Sequence, residues 1–453
     1  MEGPLAERLK QIKELLDQDL LPQAKQAVAD LHPADVAHLL EELTEEEKRK
    51  LFSSLEPEVA AEVVVELSDD SREQVLEGIQ TRRLADIVDD LPSDEATDII
   101  AELPQEQAQE VLSRLDRQDS AEVRTLLKYE EDTAGGIMQL ELVSVRADQT
   151  VAQAIEAIRL KREEVDAVHN VFVVDGENKV VGRLPLDRMI LADPDTPVKQ
   201  IVEDWPLIVG ADEDQESVAH KFRRYDVVSA PVVDAQGRLV GRITIDDVME
   251  ILDEEAEEDL LRMVGSSSEY DMLYTDRIFK ISRLRLPWLL TNLFGGLVTG
   301  WLLWKFKVTL VDAIFLVTFV PVITAMGGNV GIQSSTLMVR GFAVGRVTFN
   351  NLWRMLFREL RVALVMGVAC GLVVGLAAHL WHHNNVLGVV VGLAMVGAIF
   401  TAALMGTLAP AVFKKLKVDP AISAGPFVTT ANDIVGILIY FTIATAFYRY
   451  LVT

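Results

Sequence analysis

Asp433 is the residue whose chemistry most needs an explanation. It is the one charged side chain in the run from Ala421 to Tyr448. A carboxylate near a bilayer centre costs about 2.5–3.5 kcal/mol on insertion scales, so such groups face a bundle interior or a watery path. Gly425-Pro426 and Thr429-Thr430-Ala431-Asn432 precede it. A second apolar run, about Ala313–Val339, holds Pro321 and then Gly327-Gly328-Asn329-Val330-Gly331-Ile332-Gln333-Ser334-Ser335-Thr336. Gly328, Asn329, Gln333, Thr336, Gly425, Thr429 and Thr430 offer neutral oxygen donors or close backbone approach around one carboxylate. That donor set suits a hydrated hard cation: Mg²⁺ gives up water reluctantly and needs only one or two carboxylates. The composition predicts broken or glycine-rich backbone in both runs, tolerated at membrane depth where it is buried in protein or lines a cavity. Plain helix packing is an alternative for the glycines, but it leaves Asn329, Gln333 and Asp433 unexplained.

The elements that must position these residues are five spans read from uncharged length: Leu286–Trp304, Ala313–Val339, Val362–Trp381, Val386–Phe413 and Ala421–Tyr448. Arg283 and Arg285 precede the first span, Arg340, Arg346, Arg354 and Arg358 separate the second and third, and Lys414, Lys415 and Lys417 separate the fourth and fifth. The positive-inside bias places these on the cytoplasmic side, with Thr453 outside. His379, His382 and His383 have helical metal-ligand spacing but no neighbouring carboxylate, and read as interfacial side chains. Asp312, near a span end, reads as solvated.

Of 70 acids and 43 bases, only four and eleven lie in residues 286–453. Residues 1–285 therefore carry a net charge of about −34, which disfavours nucleic acid and anionic lipid as partners and attracts cations. An acidic solubilising surface explains the charge equally well. The lone Cys370 permits no intrachain disulfide. No leader is visible, and the polar N-terminal segment is expected to stay in the cytoplasm. No Walker motif, HExxH or Ser/His/Asp arrangement occurs, so the chain reads as a non-enzyme.

Two repeats organise the acidic half. Leu31, Leu43, Leu55, Leu67, Ile79, Leu91, Leu103 and Leu115 recur every twelve residues, often before a Pro that suits the first turn of a helix. The pattern predicts a solenoid of short helices that bury their apolar faces only against neighbours. A second repeat is offset by 59 residues: Val173-Val174-Asp175 with Val232-Val233-Asp234, Val181-Gly182-Arg183 with Val240-Gly241-Arg242, and Leu186-Asp187 with Ile245-Asp246. It resembles a tandem pair of CBS modules. Such pairs often bind adenine nucleotides; Asp247 occupies the ribose-contacting place in the second module, and Arg188 fills it in the first. Glu250, Asp253, Glu254, Glu255, Glu257, Glu258 and Asp259 then crowd one continuing helix. Like charges four residues apart destabilise a helix by roughly 0.2–0.5 kcal/mol per pair, a repulsion that a divalent cation relieves and that a solvated linker tolerates.

Tyr129-Glu130-Glu131-Asp132-Thr133-Ala134-Gly135-Gly136, Gly327-Gly328-Asn329 with Gln333-Ser334, and Asp433 with Gly436 complete the pattern. With the order helical repeat, CBS pair, five spans, the chain resembles the MgtE magnesium channel/transporter family over essentially its whole length. The resemblance implies a multi-domain membrane protein: an all-α helical-repeat domain at 1–130, α+β CBS modules at 131–196 and 197–256, a connecting plug helix at 246–285, and a five-helix transmembrane domain at 286–453. It further implies a homodimer in the cell membrane, a Mg²⁺ path on the dimer axis and closure by intracellular Mg²⁺. By position, the sensor acids would be Asp90 and Asp94 on the repeats, Asp214, Glu216, Asp226 and Asp247 on the CBS pair, Glu250, Glu255, Glu258 and Asp259 on the plug helix, and Asp419 facing it. A proton- or Na⁺-coupled transporter and a non-conducting membrane sensor are the other classes compatible with the residues.

Overall fold

The computed structural model describes residues 4–162, 164–165, 168–263, 278–306 and 314–451. Asp312 and the expected run of the acidic helix into the first span lie outside these residues. The chain divides into two compact units, Met1–Glu254 and Glu255–Thr453.

In the first unit, ten helices run from Pro4–Asp17 to Arg117–Leu126. From Leu21 onward each helix begins twelve residues after the last, at Pro33, Glu45, Pro57, Asp69, Thr81, Ser93, Gln105 and Arg117. The repeated leucine sits two residues ahead of each start, in the bend, and packs inward; Leu43, Leu55, Leu67 and Leu115 are buried. Helices of only eight to ten residues are marginal alone, so their stability comes from packing. Each packs on its next-but-one neighbour, as Pro33–Glu41 does on Pro57–Val65, around Leu39, Leu40, Phe52, Val63, Val64 and Ile87. Between helices, Glu41 accepts hydrogen bonds from the backbone and hydroxyl of Ser68 (3.0 and 2.8 Å) and from Ser71 (2.8 Å). These bonds oppose the effect of burial and hold the Glu41 carboxyl below its ordinary range.

The 59-residue repeat becomes two three-stranded sheets. β1 (Ser144–Arg146), β2 (Asn170–Val174) and β3 (Val180–Pro185) form one; β4 (Val209–Gly210), β5 (Ser229–Val233) and β6 (Leu239–Thr244) form the other. In each, the first pair is parallel and the second antiparallel. Val173 faces Gly182 and Val232 faces Gly241, each just before a register shift, so the repeat extends to hydrogen-bond register. The stacked rings of Phe172 and Trp205, 5.1 Å apart, pack beside Leu239.

Among the described residues, the second unit has five helices long and apolar enough to cross a membrane: Ile281–Lys305, Ile314–Ala343, Leu352–His382, Asn385–Lys415 and Pro420–Ala446. The fourth is the most buried. It packs its alanines (Ala394, Ala398, Ala402) against Ile323, Tyr440 and Phe441, and the Tyr440 hydroxyl donates to the Leu316 carbonyl at 2.9 Å. The third and fourth spans meet backbone to backbone. A Cβ on Gly375 would lie 2.6 Å from the Gly388 carbonyl oxygen, and one on Gly388 equally close to that of Gly375; Gly371 and Gly392 repeat the arrangement at 2.7 and 2.9 Å.

Of the two readings of the second span, broken or merely glycine-rich, the structure has the second. Val320–Ala343 is one helix through Gly327–Thr336, preceded by a short 3-10 stretch at Ile314–Phe319. In lipid each backbone group must be satisfied within the segment, which favours an unbroken helix even over several glycines. In the fifth span the break is real and lies at Gly425, between the 3-10 turn Pro420–Ser423 and the helix Pro426–Ala446.

Candidate ion path and acidic cleft

The glycines of the second span are where the fifth span crosses it. The Asn432 amide donates to the Gly327 carbonyl at 3.4 Å. Gly328 faces Thr429, whose methyl would stand 3.4 Å from an added Cβ, and a Cβ on Gly331 would run into Asn432 and Val428. Gly331 also lies under Gly406 of the fourth span. Asn432, only 4% exposed, thus ties the two spans together, a role the sequence reading did not assign.

The polar groups flank this crossing. Asn329, Gln333 and Thr336 recur at helical spacing, and the first two are exposed on the second span. Asp433, next to Asn432, is half-buried and has no ion-pair partner among the described residues. Thr429 turns its hydroxyl to the Gly425 carbonyl at 3.1 Å. Thr430 donates to Asn292 of the first span at 3.0 Å and packs against Gly295. Asn292 is a further polar group that the sequence does not single out, since nothing in its span marks the partner it meets. The two spans therefore carry one carboxylate together with amide and hydroxyl groups, residue types suited to a hard cation.

The acids expected to sense cation fall into several places. In the first unit, Asp90, Glu95, Asp246 and Asp247 line a cleft of about 580 Å³ with Asp119, Glu122 and Glu141. Asp94, 6% exposed, stands beside them, and its Oδ1 is buried without a hydrogen-bond partner. Burial, then the Asp247 charge, raises the Asp94 carboxyl well above its ordinary range. The same two causes bring Glu95 to about 8. Burial raises Asp247 to about 6, although its carboxylate accepts from the Thr244 N–H (3.2 Å) and hydroxyl (2.7 Å), closing the first turn of the helix Ile245–Met263. Burial also raises Glu250 and, aided by Glu58 and Asp89, Asp90. Arg242 and His169 are the basic groups among the cleft residues, and Arg242 donates to Gln139 at 3.1 Å. The cleft thus crowds acids whose charged forms burial and mutual repulsion disfavour, a setting in which a nearby cation would lower the cost of ionisation.

Asp214, Glu216 and Asp226 are not gathered into one site. Asp214 caps the helix Gln215–Tyr225 by accepting from Ser217, Glu216 pairs with His220 at 3.5 Å, and Asp226 ends the same helix in a left-handed conformation. That helix separates its ends by about 16 Å. In the second unit, Glu258 and Asp419 both pair with Arg262, while Glu255 and Asp259 lie on the same helix. Among the described residues, no three His, Cys, Asp or Glu side chains converge as a metal-ligand set. Sequence spacing could not reveal this, because a ligand set depends on contacts between elements far apart in the chain.

An acidic unit with a CBS pair, joined in one chain to five helices long and apolar enough to span a membrane and carrying a lone carboxylate, defines a multi-domain membrane transport protein. The MgtE model, a divalent cation transporter, matches residues 320–443; the MgtE intracellular N domain matches 31–132, and CBS domains match 134–195 and 184–254. The chain is 38% identical to the magnesium transporter MgtE of Enterococcus faecalis over 73% of this chain and 72% of that one. It is 36% identical to the magnesium transporter MgtE of Thermus thermophilus over 70% and 71%. It is also similar to the crystal structure of the cytosolic domain of the Mg²⁺ channel MgtE in complex with ATP, with a TM-score of 0.50 and 33% identity over 54% of this chain and 99% of that one. The chain belongs to the MgtE family.

Proposed function

We propose that this protein is a Mg²⁺-selective channel or transporter that mediates magnesium uptake and is gated by intracellular Mg²⁺. The observation that carries the transport reading is the crossing of the second and fifth spans. Asp433 has no ion-pair partner among the described residues, and Asn329 and Gln333 are exposed on the span that its helix crosses. A half-buried carboxylate so placed attracts a cation, and neutral oxygens can hold the ion's remaining water. Relatives at 36–38% identity are magnesium transporters, which supports Mg²⁺ as the cargo. We read the protein as a homodimer in the cell membrane with its acidic unit in the cytoplasm; two copies would then supply two Asp433 carboxylates.

Gating rests on the acidic cleft. Its carboxylates repel one another, and the partnerless Asp94 oxygen fits a hard cation. When bound, Mg²⁺ supplies the positive charge these acids lack, and an ion that binds only the compact arrangement shifts the population toward it. Asp90, Asp94, Asp247 and Glu250 are the acids we assign to that role in the first unit, with Asp214, Glu216 and Asp226 as further candidates.

Growth rescue of a Mg²⁺-auxotrophic cell tests the transport reading. Wild type restores growth, and Asp433→Ala at equal membrane abundance does not. Equal rescue by both would overturn it. A nucleotide reading of the CBS pair is supported by the relative crystallised with ATP and by Asp247. In the first module, Arg188 pairs with Glu203 at 3.1 Å instead of offering a ribose acceptor. Titration calorimetry of full-length protein with ATP, against Asp247→Asn, tests that reading.

A further inference from the structure

Arg262 stands near the end of the acidic helix Ile245–Met263, and its guanidinium contacts two carboxylates. One is Glu258, a turn earlier on the same helix; the other is Asp419, 157 residues further along the chain. All three side chains are between one fifth and one third exposed, so water screens the group only in part. Asp419 uses its two oxygens for two tasks. Oδ2 accepts from Arg262, while Oδ1 accepts from the Ala421 N–H at 2.8 Å and so starts the turn Pro420–Ser423. That turn leads directly to Gly425, where the fifth span breaks before Asp433. Next to Arg262, Met263 packs against Val339, Ala421 and Ala424. The last turn of the acidic helix is therefore fastened, by one ion-pair cluster and one apolar contact, to the segment that positions the helix bearing Asp433.

We propose that Arg262 is a tethered cation that competes with Mg²⁺ for Glu258 and Asp419, and so sets the threshold of the gate. The inference rests on the gating reading above. Its chemistry is simple. Arginine is always charged and presents a planar fork suited to two carboxylates. While the guanidinium holds both acids, a divalent ion can bind them only by displacing it. Arg262 therefore keeps the last turn fastened when Mg²⁺ is scarce, and it raises the Mg²⁺ concentration at which these two acids respond.

Two signatures follow when Arg262 is replaced by glutamine, in full-length protein reconstituted in liposomes and assayed for Mg²⁺ flux. Basal flux at low internal Mg²⁺ rises, because Glu258 and Asp419 lose the cation that joins them. Half-inhibition by Mg²⁺ moves to a concentration lower by about two- to fivefold, the scale of a partly exposed ion pair. Arg262→Lys, which keeps the charge and loses the fork, reverses part of both changes. Adding Asp419→Asn to Arg262→Gln changes basal flux less than it does in wild type, since the pair is already broken. Wild-type values in Arg262→Gln, or strict additivity of the two substitutions, would overturn the inference while a Mg²⁺-inhibited wild type leaves the gating reading standing. A wild type that Mg²⁺ does not inhibit would overturn both.

Discussion

Ser93 donates its backbone N–H to one oxygen of Glu141 at 3.0 Å and its hydroxyl to the other at 2.9 Å, across 48 residues of chain. The Ser93 hydroxyl also accepts the Leu140 N–H at 3.0 Å. The helix Ser93–Glu102 has no side-chain cap from its own flank, because Pro92 precedes it. Glu141, on the segment leading into β1, caps it from outside. The bond fixes the start of the helix that carries Asp94 and Glu95, so it sets their place beside Asp247.

Glu141→Gln should therefore lower the thermal stability of the full-length protein by the equivalent of about 0.5–2 kcal/mol, the range of a lost helix cap. It should also make the loop Leu127–Gln139 cleave faster in limited proteolysis, with Mg²⁺ restoring protection. Wild-type cleavage in Glu141→Gln would show that the bond is incidental.

The acidic cleft predicts an unusual pH dependence. Glu95 and Asp247 titrate near 8 and 6 when folded, well above the usual carboxylate value. Between about pH 4 and 8 the folded state then holds more protons than the unfolded one, and stability falls as pH rises. Acids with lowered values, such as Glu41 and Asp234, contribute in the opposite sense, but that contribution is complete by about pH 6. In EDTA, the unfolding midpoint should fall by about 2–4 °C from pH 6 to 8. Mg²⁺ or Asp247→Asn should flatten that slope, and a midpoint that climbs with pH would contradict the burial of these acids.

The crossing of the second and fifth spans separates two glycines by consequence. Gly331→Leu forces a side chain into Asn432 and Val428 and should destabilise the bundle by about 1–3 kcal/mol or more, seen as loss of monodisperse protein in detergent. Gly328→Ala meets Thr429 only at ordinary contact distance and should assemble normally, so any change in its Mg²⁺ flux reports on the path itself. Equal yields for the two variants would argue against this packing.

Removing charge from the acidic helix tests gating more broadly. The combined replacement Glu255→Gln, Glu258→Gln, Asp259→Asn should leave flux that persists at millimolar internal Mg²⁺. Patch recordings with normal Mg²⁺ inhibition would exclude these acids from the sensor.

What could be read from sequence was local and periodic. The twelve-residue spacing of leucines set the start of eight successive helices, and the 59-residue repeat extended to the pairing of Val173 with Gly182 and Val232 with Gly241. Asp433 was conspicuous because a lone charge in lipid is costly. The glycines at 327, 328 and 331 read as broken or glycine-rich backbone; in the structure Gly328 and Gly331 face Thr429, Asn432 and Val428, and Gly327 offers its carbonyl to Asn432. Composition cannot separate these two uses, and of the three only Gly331 leaves no room for a Cβ. Glu141 with Ser93 and Arg262 with Asp419 were invisible because nothing in their spacing records a contact across 48 or 157 residues.

The glycine seam between the third and fourth spans has a mechanical consequence. Two helices that touch through their main chains have no intervening rotamers to rearrange, and sliding either one would drive a carbonyl into the other's backbone. The pair behaves as a stator: a stiff post in the bilayer whose length and twist are fixed at assembly. The second span meets the fourth in the same way, with the Gly331 carbonyl against Gly406, so the same stiffness extends to it. Bulky substitutions at Gly371 or Gly392 would loosen the post itself, so they belong to assembly and not to gating.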